Sequence, residues 1–151
     1  MGTYLFDPCC LAMDARPANP NGAVLIVEDE PFTRIMASDV ISSAGFAVLE
    51  AGNAVEALSI LEAQADVRVV FTDVDMPGPL DGLELAGRIG QLWPSIGIVI
   101  SSGHFFHLAR VPAKYGFLPK PYSGPELLRQ IREAAGTSVT TDPQIALCNV
   151  A

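Results

Sequence analysis

Five short apolar runs punctuate the chain, and apolar positions at helical spacing lie between them. Ala23-Val24-Leu25-Ile26-Val27 is the first run, and it stops at Glu28-Asp29-Glu30. Phe46 to Ala51, Val67 to Thr72, Ile96 to Ser101 and the brief Phe117-Leu118 are the others. Runs of this length, bounded by turn or charged residues, predict buried strands. Helical spacing appears at Phe32, Ile35, Met36, Val40 and Ile41, with Gly45 as the stop. Asn53, with Glu56 three residues on, resembles a capping box opening a helix to about Ala63, with Leu58 and Leu61 facing the core. Leu85, Ile89 and Leu92 mark a helix stopped before Pro94. Ser123 and Glu126 resemble a second capping box, followed by Leu127, Leu128 and Ile131 on one face. Between these, Phe105 to Arg110 predicts a short helix that Pro112 cuts off.

Strands alternating with helices predict parallel βαβ units in a doubly wound five-stranded sheet. Right-handed crossovers then gather the polar strand ends, Glu28/Asp29, Asp73, Ser101 and Lys120, on one C-terminal rim. In open α/β sheets that rim is where ligands bind. Residues 1–21 end in a Pro/Asn/Gly cluster that reads as a linker or mobile tail, and residues 137–151 read as a loosely held tail. A single domain over 22–136 is expected between them.

Nine Lys and Arg against 17 Asp and Glu give a net charge of −8, which argues against a nucleic-acid groove. Cys9, Cys10 and Cys148 match neither a zinc site nor a disulfide framework, so a reducing, cytoplasmic setting is expected. No apolar stretch approaches the ~18 residues of a membrane span.

Crowded carboxylates raise one another's pKa unless a cation intervenes. Hard oxygen ligands with open water positions suit Mg²⁺. A divalent ion bridging Asp29 and Asp73 would also hold a phosphoryl group, while Lys120 neutralises one of its oxygens and Ser101 donates to another. An aspartate carboxylate is a competent nucleophile toward phosphorus. Because phosphoryl transfer rests mainly on positioning and charge neutralisation, a metal ion and a lysine suffice.

From Gly22 to Ala135 the chain resembles a receiver domain of the response-regulator family of two-component signalling. The resemblance rests on Val27-Glu28-Asp29, Asp73-Val74-Asp75-Met76-Pro77 with Asp81-Gly82, Ser101-Ser102-Gly103 and Lys120-Pro121. It implies a flavodoxin-like (βα)5 fold with Asp73 as phosphoacceptor. Glu28, Asp29, Asp73 and the main-chain carbonyl of Asp75 would bind Mg²⁺. Ser101 is the implied switch hydroxyl, Phe117 the switch aromatic, and Lys120 the basic partner before a cis peptide bond. The donor is a histidine kinase or a histidine phosphotransfer protein, and the output face comprises the fourth helix, fifth strand and last helix. The short interval from Ser101 to Lys120, containing Pro112, predicts a shortened or irregular fourth helix, and Gly78-Pro79 adds turn residues after Asp73. His104 and His107 read as surface or loop histidines rather than phosphate carriers.

The expected function is a stand-alone, Mg²⁺-dependent phosphoacceptor, monomeric or weakly dimeric, that signals through another protein or acts in a phosphorelay. It is not expected to be an enzyme, nor to bind nucleic acid or membrane. One rival is a haloacid-dehalogenase-like phosphatase using Asp73-Val74-Asp75, but there the acidic pair follows the motif and here it precedes it. The other is a receiver-like binding module independent of phosphorylation.

Overall fold

The computed structural model describes residues 21–64 and 66–136. The two expected tails, with Cys9, Cys10 and Cys148, lie outside the described residues, apart from Asn21. Strands β1 (Ala23–Val27), β2 (Ala47–Ala51), β3 (Val67–Asp73), β4 (Gly97–Ser102) and β5 (Gly116–Pro119) form one parallel sheet in the order β2-β1-β3-β4-β5. Helices α1 (Pro31–Ser43), α2 (Ala54–Ala63) and α3 (Gly82–Leu92) make the first three crossovers, and α4 (Gly124–Ala135) follows β5 and packs back on the sheet. The doubly wound fold expected from the pattern is the one observed. None of the described helices is long and apolar enough to cross a membrane.

Strand parity explains the two layers, since successive side chains point to opposite faces. Leu25, Val27, Val70, Ile98 and Ile100 pack with Ala57 and Leu61 of α2 and with Leu85 and Ile89 of α3. Val24, Ile26, Val69, Phe71, Val99 and Leu118 pack with Ala37 and Ile41 of α1 and with Leu127 and Ile131 of α4. Two residues beyond Ile26, Phe71, Val99 and Leu118 stand Glu28, Asp73, Ser101 and Lys120. The same alternation therefore carries all four toward one face at the rim.

The caps follow local chemistry. Asp81 and Glu84 form a reciprocal capping box at α3, and Ser123 with Glu126 forms one at α4. At α2 the box is half made: Asn53 accepts from the Glu56 N–H at 2.8 Å, but the Glu56 carboxylate turns to the Gly52 N–H. Glu30, marked in the sequence as part of the strand-end carboxylate cluster, is the N-cap of α1 and accepts from the Thr33 N–H at 2.6 Å.

Two helix faces differ from expectation. Phe32, Ile35 and Met36 are exposed, at 68%, 55% and 55%, and α1 instead buries Ala37 and Ile41. The contact stripe uses a small residue that lets α1 approach the sheet, so the bulky neighbours stay outside. Leu92 is likewise exposed, at the C-terminal end of α3. In place of an α-helix between β4 and β5, Phe105–Arg110 is a six-residue 3-10 helix followed by a turn in which the Tyr115 N–H donates to the Pro112 carbonyl. This is the irregular segment that Pro112 foretold.

Gly82 is fixed by close approach. Its N–H donates to the Val74 carbonyl at 2.9 Å, and a Cβ there would lie 1.9 Å from the Asp73 carbonyl oxygen. Backbone cannot yield as a side chain can. Gly82→Ala is therefore expected to destabilise the fold by about 3 kcal/mol, the upper end of overpacking penalties, measured by urea unfolding.

Candidate functional site

β3 delivers Asp73 directly opposite Ser101 of β4. The ladder continues past the strand ends: Val74 N–H donates to the Ser101 carbonyl at 3.0 Å and Lys120 N–H to the Ser102 carbonyl at 2.9 Å. This backbone extension sets three side chains side by side. Lys120 Nζ lies 3.2 Å from Asp73 Oδ2 and 3.3 Å from Glu28 Oε2. Both carboxylates are nearly buried, at 9% and 8% side-chain exposure, while the lysine keeps 30%. Glu28 is held further by the Glu30 N–H, which donates to Oε1 at 3.1 Å. The Lys120-Pro121 peptide bond is cis, as the resemblance implied.

Burial pushes the Asp73 carboxyl above its ordinary value, against the pull of Lys120 beside it. Burial also raises Glu28, outweighing the Glu30 N–H and Lys120. For Lys120, burial acts downward, yet the two facing carboxylates prevail and its pKa is raised. Two ionised carboxylates around one ammonium leave an uncompensated negative charge in a poorly hydrated place. The exposed Asp29 adds another: Glu28, Asp29 and Asp73 each offer an oxygen within 4.8 Å of the others. An all-oxygen, net-negative set open to water on one side fits a hard divalent cation, as Mg²⁺ is.

Ser101 Oγ is buried and has no hydrogen-bond partner among the described residues. A buried hydroxyl ordinarily finds one. Ser101→Ala should thus leave stability unchanged or raise it by up to about 1 kcal/mol, by thermal denaturation. A serine that braced the resting fold would give a clear loss.

The structure brings Glu28, Asp29, Asp73, Ser101 and Lys120 together. It leaves Phe117 partly buried on the α2 and α3 side of the sheet, opposite Ile100. The Asp75 side chain is exposed, with Oδ2 3.7 Å from His104 Nε2 across the mouth of the site. Sequence reading missed Arg34, whose Nη1 donates to the Glu28 carbonyl at 2.7 Å and whose Nε pairs with Glu50 at 3.2 Å. The available signal was a cation at the start of a helix, where the dipole disfavours one.

Beside Lys120 runs an apolar groove of about 570 Å³ between α1 and α4, lined by Phe32, Met36, Val40, Tyr122 and Leu127. Tyr122 is braced edge-on against Phe71, ring centroids 5.8 Å apart.

Comparison with known proteins agrees with this geometry. Over 118 residues the chain is 36% identical to sensor kinase CckA of Brucella abortus, covering 75% of this chain and 12% of that protein. It is 32% identical over 116 residues to a 14.6 kDa protein of Leptolyngbya boryana, covering 73% of this chain and 87% of that one. The crystal structure of the receiver domain of NtrX from Brucella abortus superposes with a TM-score of 0.67 at 30% identity, covering 76% and 98% of the two chains. The chain thus spans about an eighth of the kinase but most of the smaller protein. The family described as response regulator receiver domain matches residues 24–132, and with the sheet order and the rim cluster this shows that the chain belongs to the response regulator receiver family.

Proposed function

We propose that this chain accepts a phosphoryl group on Asp73 from the phosphohistidine of a histidine kinase or phosphotransfer protein. It then signals by contact with another protein or passes the group along a relay. The observation that carries this is the buried Asp73 carboxylate with the Lys120 ammonium at 3.2 Å and, in register beside it, the Ser101 hydroxyl, which has no partner among the described residues.

An Asp73 oxygen attacks phosphorus as the P–N bond breaks, and the bonding electrons return to the imidazole nitrogen. Lys120 stabilises charge on a phosphoryl oxygen, and Ser101 donates to another. Glu28, Asp29, Asp73 and the Asp75 carbonyl would hold Mg²⁺, which supplies positive charge to the phosphoryl oxygens. Loss of the group by hydrolysis returns the carboxylate, so the domain assists only its own phosphorylation and dephosphorylation. Phe117 follows the switch by rotamer, changing the surface built from the 3-10 segment, β5 and α4. The apolar groove beside Lys120, with Phe32 and Met36 exposed on α1, offers the donor a contact surface.

Incubation with acetyl phosphate and Mg²⁺, followed by intact mass measurement, tests the reading. One phosphoryl increment that requires Mg²⁺ is expected; an unchanged mass contradicts it. Continuous turnover of a generic phosphomonoester would support the phosphatase instead, in which Asp75 acts as acid and base.

A further inference from the structure

We propose that Arg34 is a positioning residue for the acidic loop, acting through the Glu28 peptide to set the geometry in which Mg²⁺ is held. This rests on the phosphoacceptor reading above. The Glu28 backbone is held on both sides of its Cα. Its N–H donates to the Ala51 carbonyl of β2 at 3.0 Å, and its carbonyl accepts from Arg34 Nη1 at 2.7 Å. The same guanidinium is anchored by Glu50, which sits on β2 one residue before Ala51. A planar fork serves both partners at once, as an ammonium cannot.

The consequence is directional. Glu28 and Asp29 lie just beyond the end of β1, with the Glu28 N–H still bonded to the Ala51 carbonyl of β2. Holding the Glu28 carbonyl fixes the peptide that joins them, and with it the directions in which their two carboxylates leave the backbone. Glu28 is then aimed inward at Lys120, and Asp29 outward at the mouth. Arg34 stands at the first helical hydrogen bond of α1, its own N–H donating to the Glu30 carbonyl at 3.0 Å. That helix carries no acidic residue in its first turn. A cation placed against the helix dipole is not there for the helix, and at 22% side-chain exposure it is not a solvated surface charge either.

A staple between α1 and β2 would make the same ion pair, so the test separates stability from metal affinity. Mg²⁺ is titrated into the 151-residue chain by calorimetry for wild type, Arg34→Met, Arg34→Gln and Glu50→Gln, with apo melting temperatures beside it. Two Arg34 variants are carried so that a folded one is in hand. Groups that orient ligands typically change metal affinity 10- to 100-fold when removed. The expected result is a Mg²⁺ Kd about tenfold weaker in the Arg34 variants. Glu50→Gln, which keeps the bond to the Glu28 carbonyl, should stay within about twofold of wild type. Arg34 variants that bind Mg²⁺ like wild type, whatever their melting temperature, overturn the proposal, as does an equal loss in Glu50→Gln. A wild type that binds no Mg²⁺ overturns the phosphoacceptor reading and this inference with it.

Discussion

Asp73→Asn is expected to take up no phosphoryl group and yet to be at least as stable as wild type in Mg²⁺-free buffer. The first half follows because an amide is no nucleophile toward phosphorus. The second follows from burial, which holds the Asp73 pKa above 3.8. A carboxyl with a raised pKa binds its proton more tightly in the folded chain than in the unfolded one. The stability it confers is complete below about pH 3.8 and is lost as pH rises through the higher folded value. Asn does not titrate. The melting temperature of the variant minus that of wild type should therefore grow as pH rises above about 4. A difference that stays flat, or falls with pH, contradicts the burial argument. Mg²⁺ should then raise the wild-type melting temperature and leave the variant's nearly unchanged, because only the chain that binds it gains by mass action.

Replacing Lys120 by Met should have the opposite balance of effects. The ammonium faces both Asp73 and Glu28 within 3.3 Å, so its loss leaves two nearly buried carboxylates without their cation. Breaking a fully buried pair costs about 3–5 kcal/mol. Partial exposure of Lys120 and protonation of the carboxylates reduce this to about 2 kcal/mol, read by urea denaturation. Phosphorylation by acetyl phosphate should slow roughly a hundredfold, the usual consequence of removing one group that stabilises developing charge. Mg²⁺ should restore more stability to this variant than to wild type, since the site is now more negative. A Lys120 variant labelled at the wild-type rate would remove the lysine from the chemistry.

Much of this site was legible because a strand's period is two. Once Ala23–Val27, Val67–Asp73 and the later strands were placed, the polar residues just past them had to fall on one rim. What pattern alone could not supply was register. That Asp73 faces Ser101, rather than a neighbour, follows from β3 and β4 pairing Val69 with Gly97, and no local signal fixes that offset.

The helices taught the reverse lesson. Helical spacing marked Phe32, Ile35 and Met36 together with Val40 and Ile41, yet of these only Ile41 is fully buried, beside Ala37. Periodicity finds the turn of a helix but not how closely it docks, and a small residue in the stripe was the clue. Asp81, named in the sequence only as part of a loop motif, gains its capping role once Glu84 is noticed three positions on. Pro112 was informative because its chemistry is local, and the 3-10 segment at Phe105–Arg110 ends just before it. Arg34 was missed because its partners, Glu50 and the Glu28 carbonyl, come from other elements.

The central claim is that Asp73, and no other carboxylate of the crowded rim, carries the phosphoryl group. The most direct measurement is chemical mapping after treatment with acetyl phosphate and Mg²⁺. Borohydride reduction converts an aspartyl phosphate to homoserine, which tandem mass spectrometry locates. Homoserine at position 73 alone is the predicted result; homoserine at position 29 or 75, or at none, contradicts it.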